Sequence, residues 1–134
     1  MKALSLTQPW ATLIAVGAKR METRIWGTSY RGPLAIHASK RMSADDRALA
    51  ESQPFKTALD AHGGAGVPLP LGCIVAVVNL VDCRRFDGHL PPEPEASFGW
   101  YKMGRWCWML SDAEPTLLYP ATGRLGLWEW EPPR

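Results

Sequence analysis

Residues 5–26, SLTQPWATLIAVGAKRMETRIW, decide the fold because a short helix with clear start and stop signals leads directly into a charged strand. Thr7 or Gln8 is in position to cap the helix, and Pro9 takes a first-turn position where its missing N–H costs nothing. Gly17 is a natural left-handed stop. The apolar residues of one helix face are Trp10, Leu13 and Ile14. This spacing predicts a helix of about two and a half turns.

A strand is predicted over residues 20–26, where side chains alternate between two faces. One face carries Arg20, Glu22, Arg24 and Trp26, and the other carries Met21, Thr23 and Ile25. We interpret the second face as core and the first as a polar wall that faces a ligand. A simpler interpretation stays open, in which Glu22 and Arg24 pair on a solvated surface and contribute little to stability.

Further strands, a second helix and two loops are predicted from the rest of the sequence. Apolar and β-branched runs predict strands over residues 3–6, 33–38, 73–81, 105–110 and 126–130. Ser43 is expected to cap a second helix that ends near residue 53. Glycine-rich residues 62–72 and proline-rich residues 86–99 are expected to be loops. The order β-α-β-β-α-β-β-β indicates an α+β fold built on a curved sheet or small barrel.

Composition and length indicate one globular domain. The chain has 134 residues, of which 46% are apolar and 21% are charged. These proportions exclude collagen, coiled coils and wholesale disorder, and the length fits a single domain over residues 1–134. Its longest apolar run, residues 73–80, is much shorter than the ~20 residues of a membrane span, and residues 1–10 lack the apolar stretch of a signal peptide. We therefore expect a cytoplasmic domain that does not enter a membrane.

Neither a metal site nor a cofactor is expected. The cysteines and histidines are too far apart for metal-ligand spacing: Cys73, Cys83, Cys107, His37, His62 and His89. The glycines of residues 62–72 match neither the dinucleotide-binding pattern nor the Walker pattern. His37 lies in a predicted strand, where an interior hydrogen-bonded histidine is commoner than a catalytic one.

The charge distribution favours a phosphate-bearing partner. Residues 1–41 carry seven bases and one acid, whereas the remaining 93 residues carry eight bases and twelve acids. A basic segment of this kind is typical of nucleic-acid binding, although the charges can also scatter over the folded surface. Seven tryptophans are present. Most are expected in the core, and one or two beside a basic groove would stack on bases.

Several blocks in this order resemble a known family. The pattern G-x-K-x-x-E-x-R is formed by Gly17, Lys19, Glu22 and Arg24, and YRGPLAIHASK follows at residues 30–40. Later blocks are residues 72–83, residues 105–110 and the closing Gly123-x-x-Gly126-Leu127-Trp128. Together they resemble the ASCH domain, the activating-signal-cointegrator homology domain of the PUA-like superfamily, over nearly the whole chain.

This resemblance implies a PUA-like small mixed β-barrel with two or more flanking short helices and a cleft lined by the pattern residues. Because PUA relatives bind RNA, the implied partners are RNA or single-stranded DNA, and nucleotides. The expected nucleic-acid-binding residues are Gln8, Trp10, Lys19, Glu22, Arg24, Tyr30, Arg31, Lys40 and Arg41.

The residue types suggest how these side chains would act. Lys19 and Arg24 suit phosphate, which an arginine holds in bidentate geometry, and Glu22 suits a base amino group. Trp10 and Tyr30 would stack on a base or pack internally. The remaining bases, Arg31, Lys40 and Arg41, are phosphate contacts or ordinary surface charges.

An enzyme is the alternative function, with Lys19 and Glu22 as catalytic candidates. The resemblance implies a ribonuclease, a role that some family members have and that needs no threonine, or less favourably an N4-acetylcytidine amidohydrolase. One bacterial branch hydrolyses that nucleoside with a lysine at the Lys19 position, a threonine three residues later and a downstream glutamate. Here Glu22 stands in place of that threonine, and Thr23 is expected on the opposite strand face. A carboxylate beside Lys19 is also expected to raise its pKa, whereas catalysis needs the pKa lowered. A third hypothesis is a tryptophan-rich contact surface for a protein partner.

Overall fold

A curved six-stranded mixed sheet, a half-barrel, forms the body of the molecule. The computed structural model describes residues 1–63 and 68–133. The strands are β1 (Lys2–Leu6), β2 (Met21–Arg24), β3 (Gly32–Ala38), β4 (Cys73–Arg85), β5 (Trp106–Pro120) and β6 (Leu127–Glu129). Their order is β2-β5-β4-β3-β1-β6, with β1 and β3 parallel and the other neighbours antiparallel. The α+β fold expected from the sequence is confirmed.

Four short helices lie beside the sheet. They are α1 (Trp10–Ala15), α2 (Ala44–Ala50), α3 (Phe55–Gly63) and α4 (Glu95–Phe98). The sequence predicted α1 and α2, and the Ser43 cap is confirmed because its hydroxyl accepts from the Asp46 N–H at 3.0 Å. Neither α3 nor α4 was predicted, and α4 falls in a segment expected to be a loop. Within the described ranges, no helix is both long and apolar enough to cross a membrane.

The two longest strands exceed their predicted bounds. Strand β4 continues to Arg85, and β5 runs through Pro115 and Pro120, where the sequence predicted a connection. Proline fits in a strand where the ladder is irregular, and the β4–β5 register shifts between Ile74 and Ala76, opposite this part of β5. Of the predicted loop at residues 62–72, residues 64–67 lie outside the described part of the chain.

Helix α1 lies between the sheet and the other helices. Its Ala11 and Ile14 belong to the main core cluster of the sheet, whereas Leu13 packs with Phe55 of α3 and Phe98 of α4. The helix stops as predicted, because Gly17 has a φ of +79° and its N–H donates to the Ile14 carbonyl at 3.0 Å. The chain then turns into β2.

The predicted face assignment of β2 holds for Glu22 and Arg24, which line the cavity described below, but it fails for Ile25. Glu22, from the face interpreted as a ligand wall, is buried, whereas Ile25, from the face interpreted as core, is 77% exposed. The strand covers only Met21–Arg24, so its alternation does not extend to Ile25. Partners inside the protein make burial of the glutamate tolerable, as described below.

Trp108 is the largest fully buried side chain. Its ring meets the Trp26 ring edge to face at a centroid distance of 4.9 Å, and its indole N–H donates to the Trp26 carbonyl at 3.2 Å. Trp100, in contrast, is 64% exposed. Trp108 therefore belongs to the core, whereas Trp100 lies at the surface.

We expect Trp108→Ala to lower the free energy of unfolding by about 3–5 kcal/mol, since it leaves a large cavity. The control, Trp100→Ala, should cost less than about 1 kcal/mol because that ring is mostly in solvent. Urea unfolding followed by circular dichroism measures both. Equal losses for the two variants would contradict this account of the core.

Candidate functional site

A cavity of about 520 Å³, here called the Arg24 cavity, opens beside β2 and among the short helices. Its charged lining residues are Glu22, Arg24 and Arg105. Its aromatic lining residues are Trp10, Phe55, Phe98 and Trp100. A volume in the range of about 300–1,000 Å³, apolar walls and a few converging polar groups are typical of ligand sites. This cavity has the size and character of a site for one nucleotide-sized ligand.

An ion pair fixes the arginine at the cavity wall. Arg24 Nη1 lies 3.6 Å from Glu22 Oε2, and the same nitrogen donates to the Ser5 carbonyl at 3.4 Å. The guanidinium also lies over the Trp26 ring, 5.7 Å from its centroid. Because Glu22 is buried and Arg24 remains partly exposed, the carboxylate orients the guanidinium from behind while one side stays open.

Lys19, the other basic residue of the G-x-K-x-x-E-x-R pattern, is placed differently. It is only 1% exposed, and its ammonium donates to the Met21 carbonyl. It borders a separate depression of about 430 Å³ beside α1 and β5. The structure therefore brings Glu22 and Arg24 together at the Arg24 cavity and places Lys19 in the interior next to them.

Burial controls the protonation of both interior groups. Desolvation lowers the pKa of Lys19, although Glu22 and Glu95 act in the opposite direction. The expectation of a raised lysine pKa is wrong, because loss of hydration outweighs the neighbouring carboxylates. Desolvation likewise raises the pKa of Glu22, against the opposing effects of Lys19, Arg24 and the Thr23 N–H.

Arg105 is a site residue that the sequence analysis missed. Its Nη2 donates to the Thr23 carbonyl at 2.9 Å, and its guanidinium lies over the exposed Trp100 ring at 5.2 Å. Its Nε is buried and has no hydrogen-bond partner. Lys102 lies over the same ring at 5.4 Å. The available sequence signal was the closeness of two aromatic residues, Trp100 and Tyr101, to two basic residues, Lys102 and Arg105.

Thr23 also lines the Arg24 cavity, and its carbonyl accepts from Arg105. Strand β2 is short and at the edge of the sheet, so its backbone groups contribute to the cavity as well as its side chains. Arg105 reaches both the Thr23 carbonyl and, at 3.5 Å, the Thr23 hydroxyl.

Comparison with known proteins places this arrangement in a family. The family model of the ASCH domain matches residues 4–117. The chain belongs to the ASCH domain family. The resemblance inferred from the hallmark residues is thus confirmed, and ASCH domains are generally linked to RNA binding.

Individual relatives agree with the assignment. Activating signal cointegrator 1 of Mus musculus is 31% identical over 101 residues, which cover 71% of this chain and 17% of the relative. The Homo sapiens protein of the same name is 32% identical over 91 residues, covering 66% and 16%. This ASCH domain therefore spans about one sixth of the curated relatives it matches.

A solved structure supports the fold. The ASCH protein from Zymomonas mobilis superposes with a TM-score of 0.51 at 13% identity, covering 89% of this chain and 72% of that chain. At this identity the similarity concerns the fold alone. It confirms the expected PUA-like architecture, here an open half-barrel.

Two residues near α1 have internal contacts in this ASCH domain. Gln8 is fully buried, and its side-chain amide bonds to the Thr12 N–H, the Thr12 hydroxyl and the Pro70 carbonyl. It therefore caps α1 instead of making the ligand contact expected from the sequence. Trp10 lines the Arg24 cavity while its N–H donates to the Phe98 carbonyl at 2.7 Å, so it also holds α4 in place.

The other predicted residues are spread over the surface. The Tyr30 hydroxyl donates to the Pro33 carbonyl, and Arg31 forms an ion pair with Asp82 at 3.4 Å, so both stabilise the connection between β2 and β3. Lys40 lines a second cavity, whereas Arg41 is simply exposed. Across residues 1–63 and 68–133, no cluster of three or more His, Cys, Asp or Glu side chains is placed to hold a metal.

The buried carboxyl of Glu22 predicts a specific dependence of stability on pH. Since its folded pKa lies above its usual value of 4.5, the unfolded chain ionises first, and stability falls as pH rises from that value through the folded pKa. Glu22→Gln removes this titration. The unfolding free energy of the variant, relative to the wild type, should therefore increase as pH rises above 4.5.

Glu129→Gln is the matched control. Its exposed carboxyl accepts from Lys2, which lowers its pKa, so its relative unfolding free energy should fall as pH rises towards 4.5 and stay flat above that value, where Glu129 is ionised in both states. Urea titrations at a series of pH values measure both differences. A Glu22→Gln difference that stays flat or decreases would show that the carboxyl is not desolvated.

Proposed function

We propose that this ASCH domain binds single-stranded nucleic acid, RNA or DNA, and holds one nucleotide in the Arg24 cavity. The observation that carries the proposal is the pair of guanidinium groups, Arg24 and Arg105, at the wall of a nucleotide-sized cavity beside the exposed Trp100 ring. The family assignment supports the same class of ligand.

The two arginines are suited to a phosphate group. Glu22 orients the Arg24 guanidinium, whose planar fork can donate two parallel hydrogen bonds to one anion. Arg105 has a buried N–H without an acceptor, and leaving such a group unsatisfied costs about 1–3 kcal/mol. Because this N–H is buried, a phosphate would contact Arg105 through the other N–H groups of its guanidinium, at the cavity wall.

The exposed indole of Trp100 is suited to a base. It is mostly solvent-exposed at the cavity rim, flanked by the cationic groups of Lys102 and Arg105. Stacking of a base on an aromatic side chain contributes about 1–3 kcal/mol and tolerates any sequence. Glu22 adds a carboxylate that can accept from a base amino group.

The shape of the cavity favours single strands over duplexes. A base enters such a cavity only when it is unstacked and turned outward, and single-stranded segments allow this at low cost. Bases in a duplex are already paired and stacked, so only the backbone would contact the protein.

Arg24→Lys should weaken binding of a labelled single-stranded RNA about tenfold, because lysine keeps the charge but not the two parallel hydrogen bonds. The control is Arg84→Lys, the same change at an exposed arginine outside the cavity that pairs with Asp82. Fluorescence anisotropy at about 50 mM salt and then at higher salt gives the affinities, which should fall as salt rises.

Circular dichroism should show both variants folded. Absence of wild-type binding at low salt would contradict the proposed function, as would equal affinity for Arg24→Lys and the wild type.

The alternative enzymatic function finds support in one observation, the lowered pKa of the buried Lys19. However, its ammonium is held by the Met21 carbonyl, and a glutamate occupies the position of the threonine in the deacetylating branch. We therefore expect no turnover of N4-acetylcytidine by the purified protein. Chromatography of the nucleoside after incubation measures this, and multiple turnovers that are lost in Lys19→Met would establish the enzyme.

A further inference from the structure

A second and larger cavity adjoins the Arg24 cavity. It has a volume of about 980 Å³ and is here called the Lys40 cavity. Ser5 and Ser39 line both cavities, so the two are neighbours that share a wall. A chain that occupied both cavities would cross these two serines.

The charge of the Lys40 cavity is positive. Among the described residues that line it, the charged side chains are Lys40 and Arg124. Some exposed bases of this protein pair with acids, as Lys2 does with Glu129 and Arg84 does with Asp82. Within residues 1–63 and 68–133, neither Lys40 nor Arg124 forms such a pair. Both cations are thus available to an anionic ligand.

The floor of the Lys40 cavity is a rigid hydrogen-bonded network. His37 is buried, as expected from the sequence, and its Nε2 lies 2.8 Å from the Ala121 carbonyl. Because a carbonyl only accepts, the ring proton is assigned to Nε2, and Nδ1 accepts from the Ser5 hydroxyl at 3.0 Å. The Trp128 N–H donates to the same Ser5 oxygen at 3.2 Å.

This network also positions Arg124. The backbone of Gly123 lies so close to it that an added Cβ would stand 2.7 Å from both the Ser5 hydroxyl and the His37 ring. Residues 121 and 123 are therefore both held against the buried histidine, one by a hydrogen bond and one by close packing. Arg124 follows directly and is placed at the cavity wall.

We propose that the Lys40 cavity is a second nucleotide subsite, in which Lys40 and Arg124 neutralise the phosphodiester that follows the nucleotide in the Arg24 cavity. The ligand is then a single-stranded chain of at least two nucleotides that crosses Ser5 and Ser39. Hydroxyls of Ser39 and Thr122 add donors for phosphate oxygens, which are common partners of such groups. This inference rests on the proposed function and extends it from one nucleotide to a chain.

Several features favour a phosphodiester chain over a second isolated base. The exposed aromatic ring, Trp100, belongs to the Arg24 cavity, whereas the Lys40 cavity offers two cations and hydroxyls. Apolar contact for a sugar is available from Leu71 and Leu125 at its rim. The Arg24 cavity would thus bind the base, and the Lys40 cavity would bind the phosphodiester backbone.

The test measures how removal of the Arg124 charge affects the binding of an oligonucleotide and of a single nucleotide. Fluorescence anisotropy is measured with labelled single-stranded RNA and DNA of about eight nucleotides and the same sequence, with a nucleoside monophosphate as competitor. Arg124→Gln should weaken octamer binding about five- to tenfold and reduce the magnitude of the salt slope by about 0.7, because one phosphate contact is lost. The inhibition constant of the monophosphate should not change.

The matched control, Arg84→Gln, removes the same charge from an exposed site at the far end of β4 and should leave the octamer affinity near that of the wild type. Equal octamer affinities for Arg124→Gln and Arg84→Gln, with Arg24→Lys still impaired, would overturn the second subsite and leave the proposed function standing. If neither octamer binds the wild type, both proposals fail. If Arg124→Gln weakens binding of only the RNA octamer or only the DNA octamer, the subsite binds that type of chain.

Discussion

The fold around β2 depends on the burial of one carboxylate, that of Glu22. A carboxylate removed from water must be matched by positive charge and hydrogen bonds, or the folded state is heavily penalised. The Arg24 guanidinium at 3.6 Å, the Thr23 N–H at 3.2 Å and the nearby ammonium of Lys19 offset part of this penalty, and the remainder raises the pKa of Glu22. A second carboxylate, Glu95, accepts from the Met21 N–H at 2.6 Å and ties α4 to the start of β2. The contact with Glu22 also fixes the position of Arg24 at the cavity wall.

The cations of the domain occupy the interior, surface ion pairs and the cavity walls. Lys19 is buried and Arg31 pairs with Asp82 at the surface, although both belong to the basic N-terminal segment. The cavity walls take Arg24 and Lys40 from that segment and Arg105 and Arg124 from the C-terminal half. The charge asymmetry along the sequence favoured a phosphate-bearing ligand but did not identify the cavity residues, because the sheet order brings distant segments together.

Local signals were predictable from the sequence, and long-range burial was not. The stop of α1 at Gly17 and the Ser43 cap follow from backbone conformation and one hydrogen bond, which depend on adjacent residues alone. The apolar spacing of Phe55, Ala58 and Leu59 was a usable signal for α3, whereas α4 is too short to show a period. The burial of Lys19 and Glu22 could not be predicted, because it depends on strands and helices that pack from elsewhere in the chain. For the same reason, the hallmark pattern predicted the Glu22–Arg24 pair but not Arg105.

A crystal structure of the domain with a short single-stranded oligonucleotide tests the central claim most directly. The account predicts one nucleotide in the Arg24 cavity, with a phosphate oxygen within hydrogen-bonding distance of the Arg24 and Arg105 guanidinium groups and a base against Trp100. A strand bound along another surface, such as the exposed Arg84 and Arg85 at the end of β4, with Arg24 contacting only Glu22 and Ser5, would contradict it.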